Sequence, residues 1–391
     1  MSATAAIVEK VSERWPVLIL VRQLGEGGCE RDAARLAVGL DRRRFDPHVA
    51  VFYSGGFRSA EVAAAGVPIL SLPVRSFLNA TAWRGGRELG AYIRQHGIRL
   101  VHALDIPLSI FTAPVARIYG VPVVLTSQLS YRNMYTRAQQ AALRITDVMS
   151  TRVIVNSRAV GESLQRAHLP EDKLFLCYNG VNPGEFFPGP GIRPASIENA
   201  TVVAGTVCVM RPEKRVDWLV DAFARVQARH PGIRLLLVGS GPETAGLMAA
   251  CERLGVRNLC HFEPGQASVA DWMRGIDVFV TGSVSESFPN ALLEAMACGC
   301  CAIGSNVGGI PELITHGEDG LVFDANSRDS LFETLDRAIA DADLRDRIRK
   351  QAVVTAHQRF SMRNSLERME GLYQNLLEEH EGRRPERSAA A

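Results

Sequence analysis

Short apolar, β-branched runs alternate with longer amphipathic helical stretches along the whole chain. That alternation restricts the fold more than any other feature. Strand, helix and strand in succession close as a βαβ unit, so a chain of such repeats builds parallel sheets. In the first half the strand runs are Val17–Val21, His48–Tyr53, Pro68–Leu72, Leu100–Ala103, Val121–Thr126, Arg152–Val155 and Leu174–Tyr178. Helical patterns such as Glu30–Val38, Arg87–His96 and Arg158–Ala167 lie between them. A run as apolar as VLILV needs cover on both faces. The segment Phe187-Pro-Gly-Pro-Gly-Ile-Arg-Pro194 then interrupts both patterns, and no helix or central strand survives three prolines so close together. After it the alternation restarts, with strand runs from Thr201–Val209 to Gly320–Phe323. The reading is α/β, with two consecutive doubly wound, Rossmann-like domains at 1–187 and 188–361. An amphipathic helix at 362–380 and a polar, disordered tail at 381–391 complete it.

With 391 residues, 47% hydrophobic and 22% charged, the composition excludes a disordered, collagenous or coiled-coil chain. The eight cysteines are scattered, and only Cys298 and Cys301 have Cys-x2-Cys spacing, without a second pair or a nearby His. Reduced core thiols are the reading, not disulfides or zinc. Met1–Arg14 lacks an apolar targeting core, and no run approaches 18 apolar residues, so a cytoplasmic protein is expected. A net charge of +2 gives no reason to expect nucleic acid as a partner, but it is unevenly divided. Residues 1–190 carry 22 Lys and Arg against 15 Asp and Glu, and residues 191–391 carry 22 against 27. The basic half suits an anionic partner, either a phosphorylated acceptor or the inner membrane face. Arg42, Arg43, Arg44, Arg75, Arg84 and Arg87 are the candidates for that surface.

Five loops at strand ends carry residues suited to a phosphorylated ligand. Gly25-Glu-Gly27-Gly28-Cys-Glu30 joins the first strand to a helix, though Glu30 occupies the third glycine position of a dinucleotide fingerprint. Arg211-Pro-Glu-Lys214-Arg215 and Gly239-Ser-Gly241-Pro-Glu243 follow the first two strands of the second domain. Glu286-Ser287-Phe288-Pro289-Asn290-Ala291-Leu-Leu-Glu294 enters a helix, with Pro289 suited to its first turn. A row of amides around Phe288–Ala291 would seat a diphosphate, and a carboxylate at each end would hold sugar and ribose hydroxyls. Asn306-Val-Gly308-Gly309-Ile-Pro-Glu312 closes the next strand in the same way.

Taken in order, R-P-E-K, G-S-G-P-E, E-S-F-P-N-A-L-L-E-A-M-A-C-G, V-G-G-I-P-E and G-L-V-F-D resemble the carboxyl-terminal domain of glycosyltransferase family 4. The first half fits through G-E-G-G, V-H-A-L-D, V-I-V-N-S and Y-N-G-V-N-P-G-E-F-F-P. The resemblance covers residues 16 to 380 and implies the GT-B fold, in which two domains face across a cleft and the last helix crosses back to the first domain. It implies a retaining, metal-independent hexosyltransferase without cofactor, using a UDP- or GDP-sugar and a glycan, lipid-linked or small-molecule acceptor. On this resemblance Glu286 contacts the donor sugar, Glu294 the ribose, and Lys214 the diphosphate. Gly27 and Gly28 let the first domain close on the donor. Arg211, Gly241 and Ser287–Ala291 complete the donor site, and His102 is a further catalytic candidate.

Two positions depart from the family pattern. Val209 stands where the family usually has Arg, and Gln128 where it often has His. These departures make a non-catalytic nucleotide-sugar-binding paralogue one alternative, and a GT-B epimerase or a sugar phosphorylase, which would share the phosphate loops, is the other.

Overall fold

The computed structural model describes residues 14–25, 27–77, 79–265 and 268–382. Thirteen strands are described. The first seven are β1 (Trp15–Val21), β2 (Phe45–Val51), β3 (Ile69–Ser71), β4 (Leu100–Ala103), β5 (Val123–Ser127), β6 (Arg152–Val155) and β7 (Leu174–Leu176). Between them run α1 (Gly28–Gly39), α2 (Ser59–Ala64), α3 (Ala80–Gln95), α4 (Ile106–Ile118), α5 (Arg137–Met149) and α6 (Arg158–Arg166). The second set is β8 (Val202–Val207), β9 (Ile233–Val238), β10 (Cys260–Glu263), β11 (Val278–Thr281), β12 (Cys301–Ser305) and β13 (Leu321–Phe323). Its helices are α7 (Val216–Gln227), α8 (Thr244–Arg253), α9 (Ala270–Arg274), α10 (Asn290–Ala297), α11 (Ile310–Leu313), α12 (Arg328–Ala340) and α13 (Ala342–Arg359), followed by α14 (Met362–Gly382).

The sheets run β3-β2-β1-β4-β5-β6-β7 and β10-β9-β8-β11-β12-β13. In each, the first strand lies between its sequence neighbour and a strand reached by crossover, in parallel register: Ile19 pairs with both Val49 and His102, and Ala204 with both Leu235 and Val278. Strand order therefore reverses between β1 and β4 and again between β8 and β11, which is where open parallel sheets open a crevice for ligands. Val17–Val21 are buried along their full length, as a strand covered on both faces must be. In the second sheet the alternating residues separate into two apolar clusters. Val202, Ala204 and Leu235 belong to one, and Val203, Leu236 and Val238 to the other.

By their contacts the described residues form two compact units: those up to 128 with 135–154 and 368–382, and 129–134 with 155–367. The later part of α14 belongs to the first unit. Tyr373 is fully buried there with its ring edge-on to Phe45, and Glu370 accepts hydrogen bonds from Arg44 and the Asp41 amide. The helix also takes in Glu381 and Gly382, which were expected to begin a disordered tail; residues 383–391 lie outside the described residues. The Pro/Gly segment 187–194 contains neither helix nor strand, and the second unit holds it through Ile192 N–H to the Asp271 carbonyl and an Arg193–Asp277 ion pair of 2.7 Å. Among the described residues no helix is long and apolar enough to cross a membrane.

Helix α3 carries three glycines, a composition that weakens an isolated helix. Packing separates them. A methyl group on Gly90 would overlap the Tyr119 ring, whereas one on Gly86 would meet the nearest Val115 methyl at an ordinary 3.5 Å. We expect Gly86→Ala to stabilise by about 0.5–1 kcal/mol through helix propensity. Gly90→Ala should destabilise by about 1–3 kcal/mol, because overpacking outweighs the same gain. Paired urea melts would measure both.

Candidate active site

In the second unit, the loops after β8, β9, β11 and β12 bring the motif residues together. The turn Pro212–Lys214 ends in Arg215, a non-glycine residue in the left-handed region at φ 48°. Its guanidinium reaches the Ala325 carbonyl and lies over the Trp218 ring, 4.1 Å from the centroid, which fixes the turn that carries Lys214. Lys214 Nζ donates to Glu286 Oε2 at 2.6 Å, and Ser283 Oγ donates to the same oxygen at 3.0 Å. Ser283 is positioned in turn, since its carbonyl accepts from the buried Ser305 hydroxyl at 2.7 Å.

Glycines allow these loops to approach so closely. Gly308 has φ +55°, and a β-carbon there would collide with the Glu286 carbonyl oxygen and lie 3.0 Å from the Tyr131 hydroxyl. Gly309 N–H donates to that same carbonyl at 3.2 Å. Gly239, at φ +126°, and Gly241 lie against the Cys208 and Met210 carbonyls, so the Gly-Ser-Gly loop supports the strand end leading to Arg211 and Lys214. Both glycine pairs are backbone-contact positions.

Glu294 is buried on α10. Pro289 is the N-cap of this helix, one residue earlier than the expected position in its first turn, and no side chain caps the helix. The amide row expected at 288–291 is shorter, because Asn290 N–H bonds to the Phe288 carbonyl and Pro289 has no N–H. Phe288 is buried in the apolar cluster. The Asn290 carboxamide oxygen accepts from Asn179 at 2.9 Å, and Ala291 packs against the apolar cluster. Ser287 contributes its carbonyl to the contact with Gly309. Arg211 does not join the group: it is 59% exposed and only 3.9 Å from Glu213.

Three residues to which the sequence assigned no role of their own belong to this group. Ser283 lies three residues before Glu286 and shows no signal in one sequence. Tyr131 follows β5, and burial with Glu312 and Glu286 nearby pushes its phenol up. Glu312, within the V-G-G-I-P-E motif, accepts from the Arg158 and Ala159 amides at 2.8 and 2.9 Å and from Tyr178 at 2.9 Å. A carboxylate at a helix N-terminus is favoured by the dipole, so this motif acid secures α6.

In the first unit, Gly27 is the N-cap and Gly28 the first residue of α1, while Glu26 lies outside the described residues. A β-carbon on Gly27 would meet the Glu30 carboxylate, and Gly56, at φ +108°, lies against the Leu24 carbonyl, to which Arg58 N–H also bonds. Gln128 is buried and donates to Asp147 at 2.8 Å. His102 is fully buried, with Nε2 2.8 Å from Ser127 Oγ and Nδ1 2.6 Å from the Tyr373 hydroxyl. Burial alone pushes the imidazole down to about 3, so at neutral pH the ring is uncharged and both nitrogens are engaged.

Residues 26–185 match the family model for Glycosyltransferase Family 4, and residues 194–354 match that for glycosyl transferases group 1. The chain belongs to the group 1 glycosyltransferases. Among curated relatives of this glycosyltransferase is N-acetyl-alpha-D-glucosaminyl L-malate synthase of Bacillus anthracis, 32% identical over 43% of this chain and 44% of that protein. Another is D-inositol 3-phosphate glycosyltransferase of Segniliparus rotundus, 32% identical over 45% of this chain and 41% of that protein. The matched region thus spans under half the length of either relative. Anabaena HepE, solved with UDP and glucose, superposes with a TM-score of 0.79 at 20% identity, covering 93% of this chain and 100% of that one. Sucrose-phosphate synthase from Thermosynechococcus elongatus does so with a TM-score of 0.80 at 19% identity, covering 94% and 100%. These likenesses establish the GT-B fold.

The His102 environment has a pH signature. The unfolded imidazole takes up a proton near 6.5 and the folded one only near 3, so its stabilising contribution is complete above 6.5 and lost as pH falls towards 3. Asp105, raised to about 6 by burial, acts with the opposite sign in every variant. Between pH 7 and 5 we expect wild-type stability to fall more steeply than that of His102→Gln, by up to about 1.4 kcal/mol per pH unit below 6.5. Urea melts across that window would measure the two slopes.

Proposed function

We propose that this glycosyltransferase moves a hexose-type sugar from a UDP- or GDP-sugar to a glycan, lipid-linked or small-molecule acceptor, with retention at the anomeric carbon and without a metal ion. The observation that carries the donor reading is the Lys214–Glu286 pair beside the loop into α10, with Glu294 buried on that helix. An ammonium at a strand end of a parallel sheet suits a diphosphate, and it would stabilise the charge that develops as the diphosphate departs. Glu286 would then accept from a donor-sugar hydroxyl and Glu294 from the ribose. The first-turn amides of α10 would receive phosphate oxygens. The HepE crystals with UDP and UDP-glucose favour UDP as the first nucleotide to test.

Retention follows from the family resemblance: the acceptor attacks the face from which the diphosphate leaves, and the diphosphate takes the acceptor proton. His102 is better suited to positioning than to proton transfer, because it is buried, neutral and doubly hydrogen-bonded. A binding-only paralogue is the second reading. It is favoured by Val209, half-exposed where the family has Arg, and by Arg211, whose guanidinium extends to Glu213 instead. Thermal-shift screening with UDP-, GDP-, ADP- and TDP-sugars, followed by sugar-transfer assays, tests both. Donor binding without transfer to any acceptor would favour the paralogue.

The ion pair makes a sharper test possible. Glu286→Gln removes a negative charge from beside Lys214, so UDP should bind about fivefold tighter, the effect of about 1 kcal/mol of like-charge repulsion at a partly solvated site. Turnover with UDP-sugar should nevertheless fall, because the sugar contact is lost. Glu294→Ala should weaken UDP and UDP-sugar equally, by about 10-fold or more, through the loss of a charge-assisted hydrogen bond. Calorimetry with UDP and steady-state kinetics would separate the two roles. If UDP binds Glu286→Gln more weakly, that carboxylate does not oppose a diphosphate on Lys214.

Lys214→Ala should lower turnover by about 10²–10³, as loss of a donor aimed at developing charge does. Arg211→Ala should lower it far less, since that side chain is mostly in solvent. A larger effect at Arg211 in the same kinetics would reverse the assignment.

A further inference from the structure

The first unit holds a cavity of about 580 Å³ that the donor chemistry leaves unused. Its lining comes from segments that follow strand ends: Arg22 after β1, Phe52 after β2, Arg75 and Phe77 after β3, Ile110 on α4 after β4, and the first turn of α5. These flank the order reversal between β1 and β4, where an open parallel sheet takes its ligand. The volume lies within the range of about 300–1,000 Å³ typical of small-molecule sites.

The wall is aromatic and held in place. Phe52 meets Phe77 and Phe111 edge-on at centroid distances of 5.9 and 5.3 Å, and Phe77 stacks with Phe111 at 6.0 Å. Phe77 is nevertheless 43% exposed and Tyr53, also in the lining, 48%. Phe57, four residues further on, is 60% exposed, so one more large apolar side chain follows in sequence beyond the cavity lining.

Charge distinguishes this cavity from the rest of the basic half. Five of the six arginines expected to form an anion-binding surface are engaged locally. Arg43 and Arg44 pair with Asp41, Arg84 with Glu88, Arg42 donates to the Gly66 carbonyl, and Arg87 lies over Trp83. Arg75 is the exception, and with Arg22 it borders the cavity without an ion pair among the described residues. Arg22 acts on Asp105 without an ion-pair contact, and that carboxylate caps α4 by accepting from the Leu108 amide at 2.8 Å. An apolar wall bordered by two guanidinium groups matches a molecule with an apolar chain and a phosphate.

We propose, on the reading of the chain as a glycosyltransferase, that this cavity binds the acceptor and that the acceptor carries a lipid phosphate. Its chain lies along Phe52, Phe77 and Ile110, and its phosphate oxygens accept from Arg22 and Arg75. The exposed rings of Tyr53 and Phe77 in the lining, with Phe57 following in sequence, favour an extended chain over a compact ring.

The test is titration calorimetry of the full chain with dodecyl phosphate below its micelle concentration, beside dodecyl glucoside, phenyl phosphate and inorganic phosphate. Dodecyl phosphate should bind saturably and more tightly than the other three. Arg22→Ala, Arg75→Ala and Phe77→Ser should each weaken it by about tenfold or more. Arg75→Lys, which keeps the charge but loses the fork, should fall between. No binding of dodecyl phosphate, binding unchanged in both alanine variants, or equal binding of phenyl phosphate would overturn the proposal. Thermal stabilisation by UDP is followed in every protein. Its retention shows that a variant is folded with its donor side intact, and a wild type stabilised by neither UDP nor GDP would overturn the transferase reading while leaving the lipid-phosphate measurement to stand alone.

Discussion

Parallel strands cannot be joined by tight turns, and the rest of this molecule depends on that constraint. Every connection must cross a face of the sheet as a helix, so both faces are covered and all the carboxyl ends of the strands emerge on one side. Strand order reverses once in each sheet, between β1 and β4 and between β8 and β11. The loops beside those reversals are free of the core's packing demands. They carry the Arg-Pro-Glu-Lys turn and the Glu286 loop in one unit, and the lining of the aromatic cavity in the other.

Within the second unit, backbone proximity makes the chemistry available. Lys214 and Glu286 are 72 residues apart in sequence, yet their side chains meet at 2.6 Å. They do so because Gly239, Gly241, Gly308 and Gly309 let neighbouring loops lie carbonyl against α-carbon, where any β-carbon would force the backbone apart. Arg215 adds a strained left-handed residue directly after Lys214, held by its contacts to Ala325 and Trp218. Strain of this kind persists only where the surroundings over-determine it, and here it aims the lysine.

The first unit uses its buried polar groups differently. His102 is enclosed by Ser127 and Tyr373, Gln128 is tied to Asp147, and Glu370 spans Arg44 and the Asp41 amide. Each contact satisfies groups that would be costly to bury alone. Two of them join the sheet or its loops to α14, which gives the last helix a specific seat and not merely an apolar one.

The sequence by itself determined the layout: βαβ repeats, a restart after the Pro/Gly segment, and the loops that hold Lys214, Glu286 and Glu294. Those features are local, since they rest on hydrophobic periodicity, on proline's missing N–H and on glycine spacing, all of which act over a few residues. The partners of these residues were decided by tertiary structure alone. Ser283 on Glu286, Tyr131 on Gly308, Glu312 on the amides of α6, and Tyr373 on His102 (271 residues away) depend on strand order and helix seating, which no short-range pattern encodes. The same holds for charge. The excess of arginine in the first half is visible as a count, but whether a guanidinium is spent on Asp41 or left beside a cavity depends on which carboxylates the fold brings within 4 Å.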